Sequence, residues 1–429
     1  MQREIYNHMA KINKVWAREI LDSRGIPTVE AFCSTDNGFI SVASVPSGTS
    51  TGSSESLELR DNDPTRFQGK GVLKAVNNIN SFLSPAIAGM DINDQINIDK
   101  KLIATDGTKN KSRYGANAIL AVSIACIKAA AACSSMSLYK YVYELSKSLG
   151  ATNNMKIPTP LFNMINGGLH GAGNLDFQEF HVIPATSKKF SDCLRIGVEI
   201  YMTIGSNLKR RGAIHSVGHE GGYAPNLFTN ADALEILVES IKETSYQLGI
   251  DVFLGLDVAA SSFYKNGVYS IRDKSTALKD VDLMEYYKNI NSLYHLALIE
   301  DMFHEEAWDS WKKMYSEFQG QVLIVGDDLL ATNPELVQKA IKEKACDTIL
   351  VKPNQIGTVS ETINVIKLAR SANWKVVVSH RSGETNDWFI ADFAVGIGSE
   401  YVKFGAPCRG ERVSKYNRLL AIESEISSS

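Results

Sequence analysis

The sequence has few cysteines, and they are not arranged as a disulfide framework or a zinc site. There are six among 429 residues, spread along the chain, and no two of them form a Cys-x-x-Cys pair. Disulfide scaffolds are dense in cysteine, and zinc sites typically contain cysteine pairs at short spacings. The sequence therefore excludes both classes and predicts a reducing compartment, the cytoplasm.

An excess of charge of one sign is also missing. The chain has 45 Lys and Arg residues against 48 Asp and Glu residues, which gives a net charge of −3. Binding to nucleic acid or to an acidic membrane surface relies on a surplus of basic residues. We therefore expect neither a nucleic-acid partner nor a membrane partner.

Long hydrophobic runs are scarce. The longest, residues 116–133, is rich in alanine and contains Asn117, Ser123 and Lys128, which favours a buried helix over a membrane span. Residues 1–15 carry charge throughout and include no apolar segment, so we expect no secretory signal. The glycines match neither GxGxxG nor a P-loop, so no motif supports nucleotide binding.

The pattern of hydrophobic residues differs between the two parts of the chain. Between residues 13 and 45, short alternating runs separated by turn residues predict strands, and between 71 and 133 the spaced apolar residues predict helices. Strands followed by helices indicate a small α+β domain, to which we assign residues 12–150. Residues 1–11 have no apolar periodicity, and we predict that they form a disordered extension. The remainder, residues 151–429, alternates short apolar runs with amphipathic helices.

In the second domain, six apolar runs end on an ionisable residue. The six residues are separated by 43, 27, 25, 28 and 23 positions, about one strand-plus-helix unit each, with an insertion in the first. For any one of them, a helix cap or a surface charge would be the simpler interpretation. Six in succession weaken that interpretation. They are Asp257, Glu300, Asp327, Lys352, His380 and Lys403.

Repeated units of this kind build a parallel sheet, which is either open and doubly wound or closed into a barrel. The roughly 275 residues of the second domain are close to the ~250 typical of an eight-unit barrel. A closed barrel also brings every strand end to one mouth, where the active sites of this fold lie. We therefore predict an α/β fold in which a C-terminal (β/α)8 barrel follows a smaller N-terminal α+β domain.

Three carboxylates at one mouth repel each other strongly unless a cation neutralises them. Asp257, Glu300 and Asp327 offer only oxygen ligands, and oxygen ligands without His or Cys favour a hard ion. The sequence therefore predicts that these three residues form a Mg2+ site.

Lys352 and Lys403 would lie beside that ion and beside each other. Neighbouring positive charge lowers the pKa of an amine, so one lysine could be neutral near pH 7 and act as a general base, while the other holds an anionic group of the substrate. A base next to a metal suits removal of a proton alpha to a carboxylate, because the ion stabilises the resulting enediolate. At this level of argument, the two lysines are interchangeable.

Two further segments carry polar groups suited to a substrate. Residues 379–383, SHRSG, place a histidine, a guanidinium and a hydroxyl after a predicted strand, a set that suits a phosphate or a carboxylate. Residues 217–223, VGHEGGY, form a glycine-rich loop that presents Glu220. By itself that loop indicates little, because turns need glycine for conformational reasons.

At these residues the sequence closely resembles the enolase family, and the match extends from near the start of the chain to near its end. The matching blocks are long and specific, so chance agreement is an improbable explanation. They are residues 22–25 (DSRG), 45–52 (VPSGTSTG), 114–122 (YGANAILAV), 178–180 (QEF), 220–226 (EGGYAPN), 326–329 (GDDL), 352–358 (KPNQIGT), 379–385 (SHRSGET) and 415–419 (KYNRL).

The resemblance implies the reversible dehydration of 2-phospho-D-glycerate to phosphoenolpyruvate, in glycolysis and gluconeogenesis. It implies a barrel with an irregular ββαα(βα)6 order, two Mg2+ ions per active site, and a homodimer or a ring of dimers. Family members also acquire partners at cell surfaces, so a secondary cell-surface or secreted pool stays open beside the cytoplasmic one.

Carried over by position, the resemblance also implies a role for each site residue. Lys352 removes the C2 proton, and Glu220 protonates the departing C3 hydroxyl with Glu179 and Gln178 in support. Asp257, Glu300 and Asp327 would bind the first Mg2+, and Ser50 would contribute to the second. Lys403 would pair with the substrate carboxylate, and Arg381 and Ser382 would bind the phosphate. His380 would lie near the leaving group, and His170 would assist loop closure.

One departure from the family bears on the implied acid. The loop normally reads GDEGG, whereas position 219 is His in this chain. A titratable imidazole beside Glu220 would favour the ionised carboxylate, lower its pKa and slow dehydration. A catalytically weakened binding protein on the same scaffold therefore stands beside an active enolase, and the presence of all three carboxylates, both lysines and Glu220 favours the active enzyme. A third hypothesis, a different superfamily reaction such as racemisation, is disfavoured by the SHRSG segment and the pair of glutamates, Glu179 and Glu220.

Overall fold

The computed structural model of the chain describes residues 10–48, 54–152, 154–171 and 175–428. The first part is an antiparallel sheet in the order β1–β2–β3, followed by helices, which confirms the predicted α+β organisation. A π-helical stretch, Ile79–Leu83, joins the first two helices. The elements are β1 Ile12–Leu21, β2 Pro27–Thr35, β3 Ile40–Ser44, α1 Leu73–Asn78, α2 Ser84–Ile87, α3 Gln95–Asp106, α4 Ala116–Cys133 and α5 Leu138–Ser148.

Helix α4 is the central helix of this domain. By length and composition it could cross a membrane, but 83% of it is buried inside the protein, against the sheet and the neighbouring helices. Its many alanines are small and allow neighbouring elements to pack closely against it. A helix that is apolar on all sides is typical of a protein core. The predicted buried helix is confirmed.

The predicted extension, residues 1–11, falls mostly outside the described residues. Ala10 and Lys11 are described, and both are held by backbone hydrogen bonds. The Ala10 carbonyl accepts from the Ile92 N–H at 2.9 Å, and the Lys11 carbonyl accepts from the Asp36 N–H at 3.0 Å. The first domain therefore already holds these two residues, just before β1 begins.

The second part closes into a barrel. Strands β4 and β5 flank a single residue, Leu161, and this continuous segment pairs with β14 on one side and with β6 on the other. The Leu161 N–H donates to the Val402 carbonyl at 2.8 Å. The sheet runs in the order β4–β14–β13–β12–β11–β10–β7–β6–β5, so its two ends are the same stretch of chain. The strands are β4 Thr159–Pro160, β5 Phe162–Asn166, β6 Glu179–Pro184, β7 Val252–Asp257, β10 Leu298–Glu300, β11 Leu323–Gly326, β12 Thr348–Val351, β13 Lys375–Ser379 and β14 Tyr401–Lys403, with a small separate hairpin of β8 Tyr264–Lys265 and β9 Val268–Tyr269.

The barrel begins irregularly, as the ββαα(βα)6 order requires. Strand β6 is antiparallel to both β5 and β7. The other barrel strands pair in parallel, in the order β7–β10–β11–β12–β13–β14–β4. Because β6 runs the opposite way, its first residue lies at the same end of the barrel as the last residues of the other strands. The outer helices are α6 Phe190–Arg210, α7 Asn230–Lys242, α8 Asp280–Tyr294, α9 Trp308–Phe318, α10 Pro334–Glu343, α11 Pro353–Ile356, α12 Val359–Ser371, α13 Phe389–Gly396 and α14 Gly410–Ser427.

Two features follow directly from the sequence. Asn333 caps α10 by accepting a hydrogen bond from the Glu335 N–H at 2.9 Å, and Pro334 occupies the first helical position. A layer of apolar side chains fills the barrel below its mouth, so the barrel is a packed core and polar chemistry is confined to one end. That layer consists of Leu161, Ile183, Leu298, Val325, Leu350 and Val377.

Candidate active site

The six ionisable residues that follow the apolar runs all lie at one end of the barrel. Parallel strands present their carboxyl ends to the same side, and the structure brings these ends together as the spacing predicted. Asp257, Glu300 and Lys403 are the last residues of β7, β10 and β14, and Asp327, Lys352 and His380 directly follow β11, β12 and β13.

Lys403 is the cation around which the carboxylates gather. Its Nζ lies 2.8 Å from Asp257 Oδ2 and 3.0 Å from both carboxylate oxygens of Glu300. Glu179 Oε2 lies 3.4 Å away. All four residues are buried, so water does not screen these charges. Burial lowers the pKa of Lys403, but Asp257 and the other carboxylates raise it well above its ordinary value.

Lys352 pairs with the remaining carboxylate of the predicted set. Its Nζ is hydrogen-bonded to Asp327 Oδ2, and Gln355 Nε2 lies 3.5 Å from Asp327 Oδ1. Burial lowers the pKa of Lys352, but the Asp327 carboxylate outweighs burial and raises it. From the sequence we expect a neighbouring metal cation to lower the pKa of one lysine. In this structure the group bound to Lys352 is a carboxylate, which has the opposite effect.

The chemistry of this cluster fits a hard metal ion. Asp257 Oδ1 is buried and has no hydrogen-bond partner among the described residues. A buried carboxylate oxygen without a partner is costly, and an ion bound by oxygen ligands would satisfy it. Burial and the neighbouring Asp257 also raise the pKa of Glu300 well above its ordinary value, so this carboxylate needs additional positive charge to be ionised.

Asp301 is a further acid at this place. Ligand atoms of Glu300, Asp301 and Asp327 lie within 4.8 Å of one another, a grouping that could also hold a metal. The two carboxylate oxygens of Asp301, however, accept hydrogen bonds from the backbone N–H groups of Asp327 at 3.0 Å and Asp328 at 2.8 Å. These bonds fix the turn that carries Asp327. Because Asp257 Oδ1 has no partner among the described residues, Asp257 suits a metal ion better than Asp301, which supports the turn.

A second cluster surrounds Glu220. Ser382 Oγ donates to Glu220 Oε1 at 3.1 Å, and Asn163 Nδ2 donates to Oε2 at 3.3 Å. His170 Nδ1 lies 3.4 Å from Glu220 Oε1 and 3.3 Å from Glu179 Oε1, so it sits between the two glutamates, although neither approach is aligned as a hydrogen bond. The structure thus brings together Glu220, Glu179 and His170, which come from three different loops or strands.

The charges in this second cluster are strongly coupled. Burial raises the pKa of Glu220, but His170 and His380 hold it well below its ordinary value. Burial also raises the pKa of Glu179, which Lys403 and the neighbouring imidazoles lower to about 2. For His170, burial lowers the pKa, but the two glutamates raise it overall. These directions favour the ionised form of both carboxylates and the protonated form of the imidazole between them.

The glycines of the loop that carries Glu220 are needed for close approach. A Cβ on Gly218 would lie 2.6 Å from the His170 carbonyl oxygen, and one on Gly222 would lie 2.6 Å from Asn166 Oδ1. Gly221 has a φ of 87°, a conformation that favours glycine. The repeated glycines therefore let this loop pack against the loop of His170, which gives the motif a structural meaning that its sequence alone did not establish.

The predicted phosphate-binding residues, Arg381 and Ser382, line the same cavity. Arg381 Nη1 lies 3.0 Å from Glu55 Oε2, so a carboxylate from the N-terminal domain reaches the guanidinium. Ser382 Oγ lies 3.2 Å from His170 Nε2. Gln178, the other predicted supporting residue, donates from Nε2 to Asp257 Oδ2 at 3.1 Å.

His219 does not enter this arrangement through its side chain. The residue is exposed, and its backbone carbonyl, not its ring, accepts a hydrogen bond from Arg412 Nη2 at 3.0 Å. Partial burial and the nearby Arg24 lower the pKa of His219, which disfavours a cation there. The histidines that lower the pKa of Glu220 are His170 and His380.

A cavity of 60 Å³ unites these groups. A groove of 830 Å³ lies elsewhere, lined mainly by the sheet of the N-terminal domain, α4 and residues 384–388, so size alone does not identify the site. Ser50, which the resemblance linked to a second metal ion, lies outside the described residues. The small cavity is lined by Glu55, His170, Gln178, Glu179, Glu220, Asp327, Asp328, Lys352, Ser379, His380, Arg381, Ser382 and Lys403, while Asp257 and Glu300 lie against Lys403.

Several residues of the site were not found by sequence reasoning. Glu55 comes from the other domain, and nothing near it in the sequence signals its contact with Arg381. His181 could have been found, since it lies two positions after Glu179 on β6 and therefore on the same face; its Nε2 lies 2.8 Å from Glu179 Oε2. Arg412 lies on α14, and its sequence context does not distinguish it from an ordinary helix residue.

Two family models match the chain, one for each part of the fold. The model described as "Enolase, N-terminal domain" matches residues 12–142. The model described as "Enolase, C-terminal TIM barrel domain" matches residues 154–429. Together they cover nearly the whole chain, in agreement with the α+β domain and the barrel described above.

Proposed function

The chain belongs to the enolase family, and we propose that it catalyses the reversible dehydration of 2-phospho-D-glycerate to phosphoenolpyruvate. The family supports an enolase-like lyase; the choice of substrate and the roles below are our proposal. The observation that carries it is that a single cavity is lined by an amine, a carboxyl group and a guanidinium, on Lys352, Glu220 and Arg381. A base, an acid and an anion-binding group are what this reaction needs.

Lys352 is the proposed base for the C2 proton. Its Nζ reaches the cavity and at the same time contacts Asp327, one of the carboxylates of the metal-binding cluster. This position places the amine at the border between metal ligands and substrate, where a proton alpha to a carboxylate would lie. Lys403, enclosed by Asp257 and Glu300, is the proposed partner of the substrate carboxylate.

Asp257, Glu300 and Asp327 would hold Mg2+, and Ser50 is the proposed contributor to a second Mg2+. Bound there, the ions would stabilise the negative charge that develops on the substrate carboxylate. The protein's own part is to supply oxygen ligands that are already gathered and buried, and to keep Asp257 Oδ1 unpaired for a ligand.

Glu220 is the proposed acid for the C3 hydroxyl. In the resting site its pKa is lowered, because His170 and His380 outweigh the effect of burial. The ionised form suits the hydration direction, in which the carboxylate activates water. Dehydration needs a proton on Glu220, and His170, whose pKa is raised, lies 3.4 Å away as its source.

The hypothesis of a weakened binding protein rests on His219. Because that residue is exposed, it does not support this hypothesis over the active enzyme. A homodimer or ring of dimers, in the cytoplasm, is part of our proposal, since it is what the family resemblance implies.

The direct test is the appearance of phosphoenolpyruvate, followed by ultraviolet absorbance, from 2-phosphoglycerate with and without Mg2+. We expect Mg2+-dependent turnover that Lys352→Ala lowers by at least about a hundredfold, while Lys342→Ala, at an exposed position on α10, leaves it unchanged. A His219→Asp variant should be as active as the unmodified chain. Absence of turnover in both proteins, each folded and able to bind Mg2+, would refute the proposed substrate. Activity in His219→Asp alone would favour the weakened protein.

A further inference from the structure

We propose that Arg412 is a positioning residue that keeps His380 neutral with its ring proton on Nε2, so that His380 can donate a hydrogen bond to Glu220 but cannot take a proton from it. This inference rests on the proposed function only in treating Glu220 as the acid. It separates the two histidines beside Glu220 into different roles.

Arg412 is a fully buried cation on α14 that joins two loops of the site. Its Nη1 donates to His380 Nδ1 at 2.8 Å and to the Arg381 carbonyl at 2.7 Å. Its Nη2 donates to the Ser382 carbonyl at 2.6 Å and to the His219 carbonyl at 3.0 Å. The guanidinium thereby ties the loop of residues 380–382 to the loop that carries Glu220.

The contact between Arg412 and His380 determines where the imidazole proton lies. A guanidinium has only donors and stays charged at every accessible pH. His380 Nδ1 must therefore present its lone pair to Arg412, and the ring proton of a neutral imidazole is left on Nε2. Nε2 faces Glu220 Oε2 at 3.3 Å, a close approach that is not yet aligned as a hydrogen bond. Such contacts often tighten only when substrate binds.

A second proton on His380 is strongly disfavoured. It would turn Nδ1 into a donor that faces another donor at 2.8 Å, and it would place two cations side by side. The charged groups that act on the ring are Arg412 from α14, Glu220 from the glycine-rich loop and Glu179 from β6. Burial and Arg412 lower the pKa of His380, and they outweigh the two glutamates.

His170, on the opposite side of Glu220, has a different environment. Its Nδ1 faces two carboxylates, at 3.3 Å and 3.4 Å, and its Nε2 faces the hydroxyl of Ser382 at 3.2 Å. No cation comparable to Arg412 is among these contacts, so the His170 ring can hold two protons. The proton that Glu220 gives up is therefore replaced from the side of His170, while His380 supplies a fixed donor.

The first experiment is nuclear magnetic resonance of the full-length protein labelled with 15N-histidine. The signals of His380 are assigned by their loss in His380→Gln. We expect shifts of a neutral ring, pyrrole-type at Nε2 and pyridine-type at Nδ1, that do not change between about pH 5 and pH 8. A ring protonated on Nδ1, or one that becomes cationic in this range, would overturn the inference. Because no substrate is present, an inactive protein with the expected spectrum would refute the proposed function and leave this inference intact.

The second experiment changes the positioning residue itself. Lysine cannot reach four acceptors with a single ammonium group, so in Arg412→Lys we expect His380 to exchange between tautomers or to titrate in the same pH range. We also expect kcat to fall by about tenfold or more, with KM changed by less than about twofold, because Arg412 is not among the residues that line the cavity. An unchanged His380 spectrum in a variant with a normal thermal unfolding curve would overturn the role of Arg412. If the variant does not fold, the spectrum of the unmodified protein decides.

Discussion

Glu179 and Asp257 face each other on neighbouring strands that run in opposite directions, one as the first residue of β6 and the other as the last residue of β7. Both carboxylates reach the same ammonium group, that of Lys403. The reversed strand at the start of the barrel thus connects the proposed metal-binding cluster to the cluster around Glu220, the proposed acid. With every strand parallel, the first residue of β6 would lie at the opposite end.

Asp257 is expected to dominate metal affinity. Its Oδ1 is buried without a partner among the described residues, so it is the oxygen most in need of a cation. Asp257→Asn should weaken Mg2+ binding by about tenfold or more, because an amide oxygen is a poorer ligand for a hard ion. Isothermal titration calorimetry with MgCl2 measures this effect.

The matched control for that substitution is Asp309→Asn, whose side chain is 86% exposed on α9. It should bind Mg2+ as the unmodified chain does. Equal affinities for Asp257→Asn and Asp309→Asn would argue that Asp301 is the third ligand in place of Asp257.

Part of this site could be predicted from the sequence because strand ends of a parallel barrel converge. Asp257, Glu300 and Asp327 needed only the spacing of apolar runs and the chemistry of oxygen ligands. Glu179 did not obey that rule, because it begins a strand instead of ending one, and only the family resemblance pointed to it.

Contacts that depend on tertiary packing had no local signal. Glu55 reaches Arg381 across the boundary between the two parts of the fold. Arg412 lies in a helix whose sequence, GERVSKYNRLL, shows nothing to separate a buried guanidinium from an exposed one. Asp301, with a φ of 46°, likewise accepts hydrogen bonds from Asp327 and Asp328, which lie after the next barrel strand and far away in the sequence.

Asp99 should make the stability of the protein depend on pH. It is fully buried, and its carboxylate accepts hydrogen bonds from Ser123 Oγ at 2.7 Å, Gln95 Nε2 at 2.8 Å and the Ser360 N–H at 2.9 Å. Since Ser360 lies on α12, this carboxylate joins the N-terminal domain to the barrel. Burial outweighs these hydrogen bonds and raises the pKa of Asp99 from 3.8 to about 6.

Between pH 3.8 and about 6, the folded state keeps a proton on Asp99 that the unfolded state has released, so the free energy of unfolding falls as the pH rises. The contribution of Asp99 to stability is fully present below about pH 4 and is lost as the pH rises through about 6, a change of about 3 kcal/mol. Thermal unfolding of the unmodified chain and of Asp99→Asn, measured from about pH 4.5 to pH 7, isolates this component as a difference. We expect the unmodified chain to lose stability relative to Asp99→Asn across that range. Parallel curves would show that Asp99 titrates normally.

Glu55 should reduce the affinity of the site for anions. Its Oε2 lies 3.0 Å from Arg381 Nη1, and both side chains are largely buried, so the carboxylate cancels part of the field that an incoming phosphate would feel. Glu55→Gln should tighten the binding of inorganic phosphate by about threefold to tenfold. Calorimetric titration with phosphate tests this, with the exposed Glu306→Gln as the control. Weaker binding in Glu55→Gln would mean that Glu55 orients the guanidinium and does not compete with the anion.

Gly218 should be required for activity more than for folding. A Cβ at this position would lie 2.6 Å from the His170 carbonyl oxygen, so Gly218→Ala must push the loop of Glu220 away from His170. A displacement of this kind near an acid typically costs about tenfold to a hundredfold in rate. Gly410→Ala is the matched control, because a Cβ there meets nothing within 4 Å. We expect turnover with saturating Mg2+ to fall in Gly218→Ala alone, while the two variants unfold at similar temperatures. Full activity in Gly218→Ala would show that the contact between the two loops is not needed for the reaction.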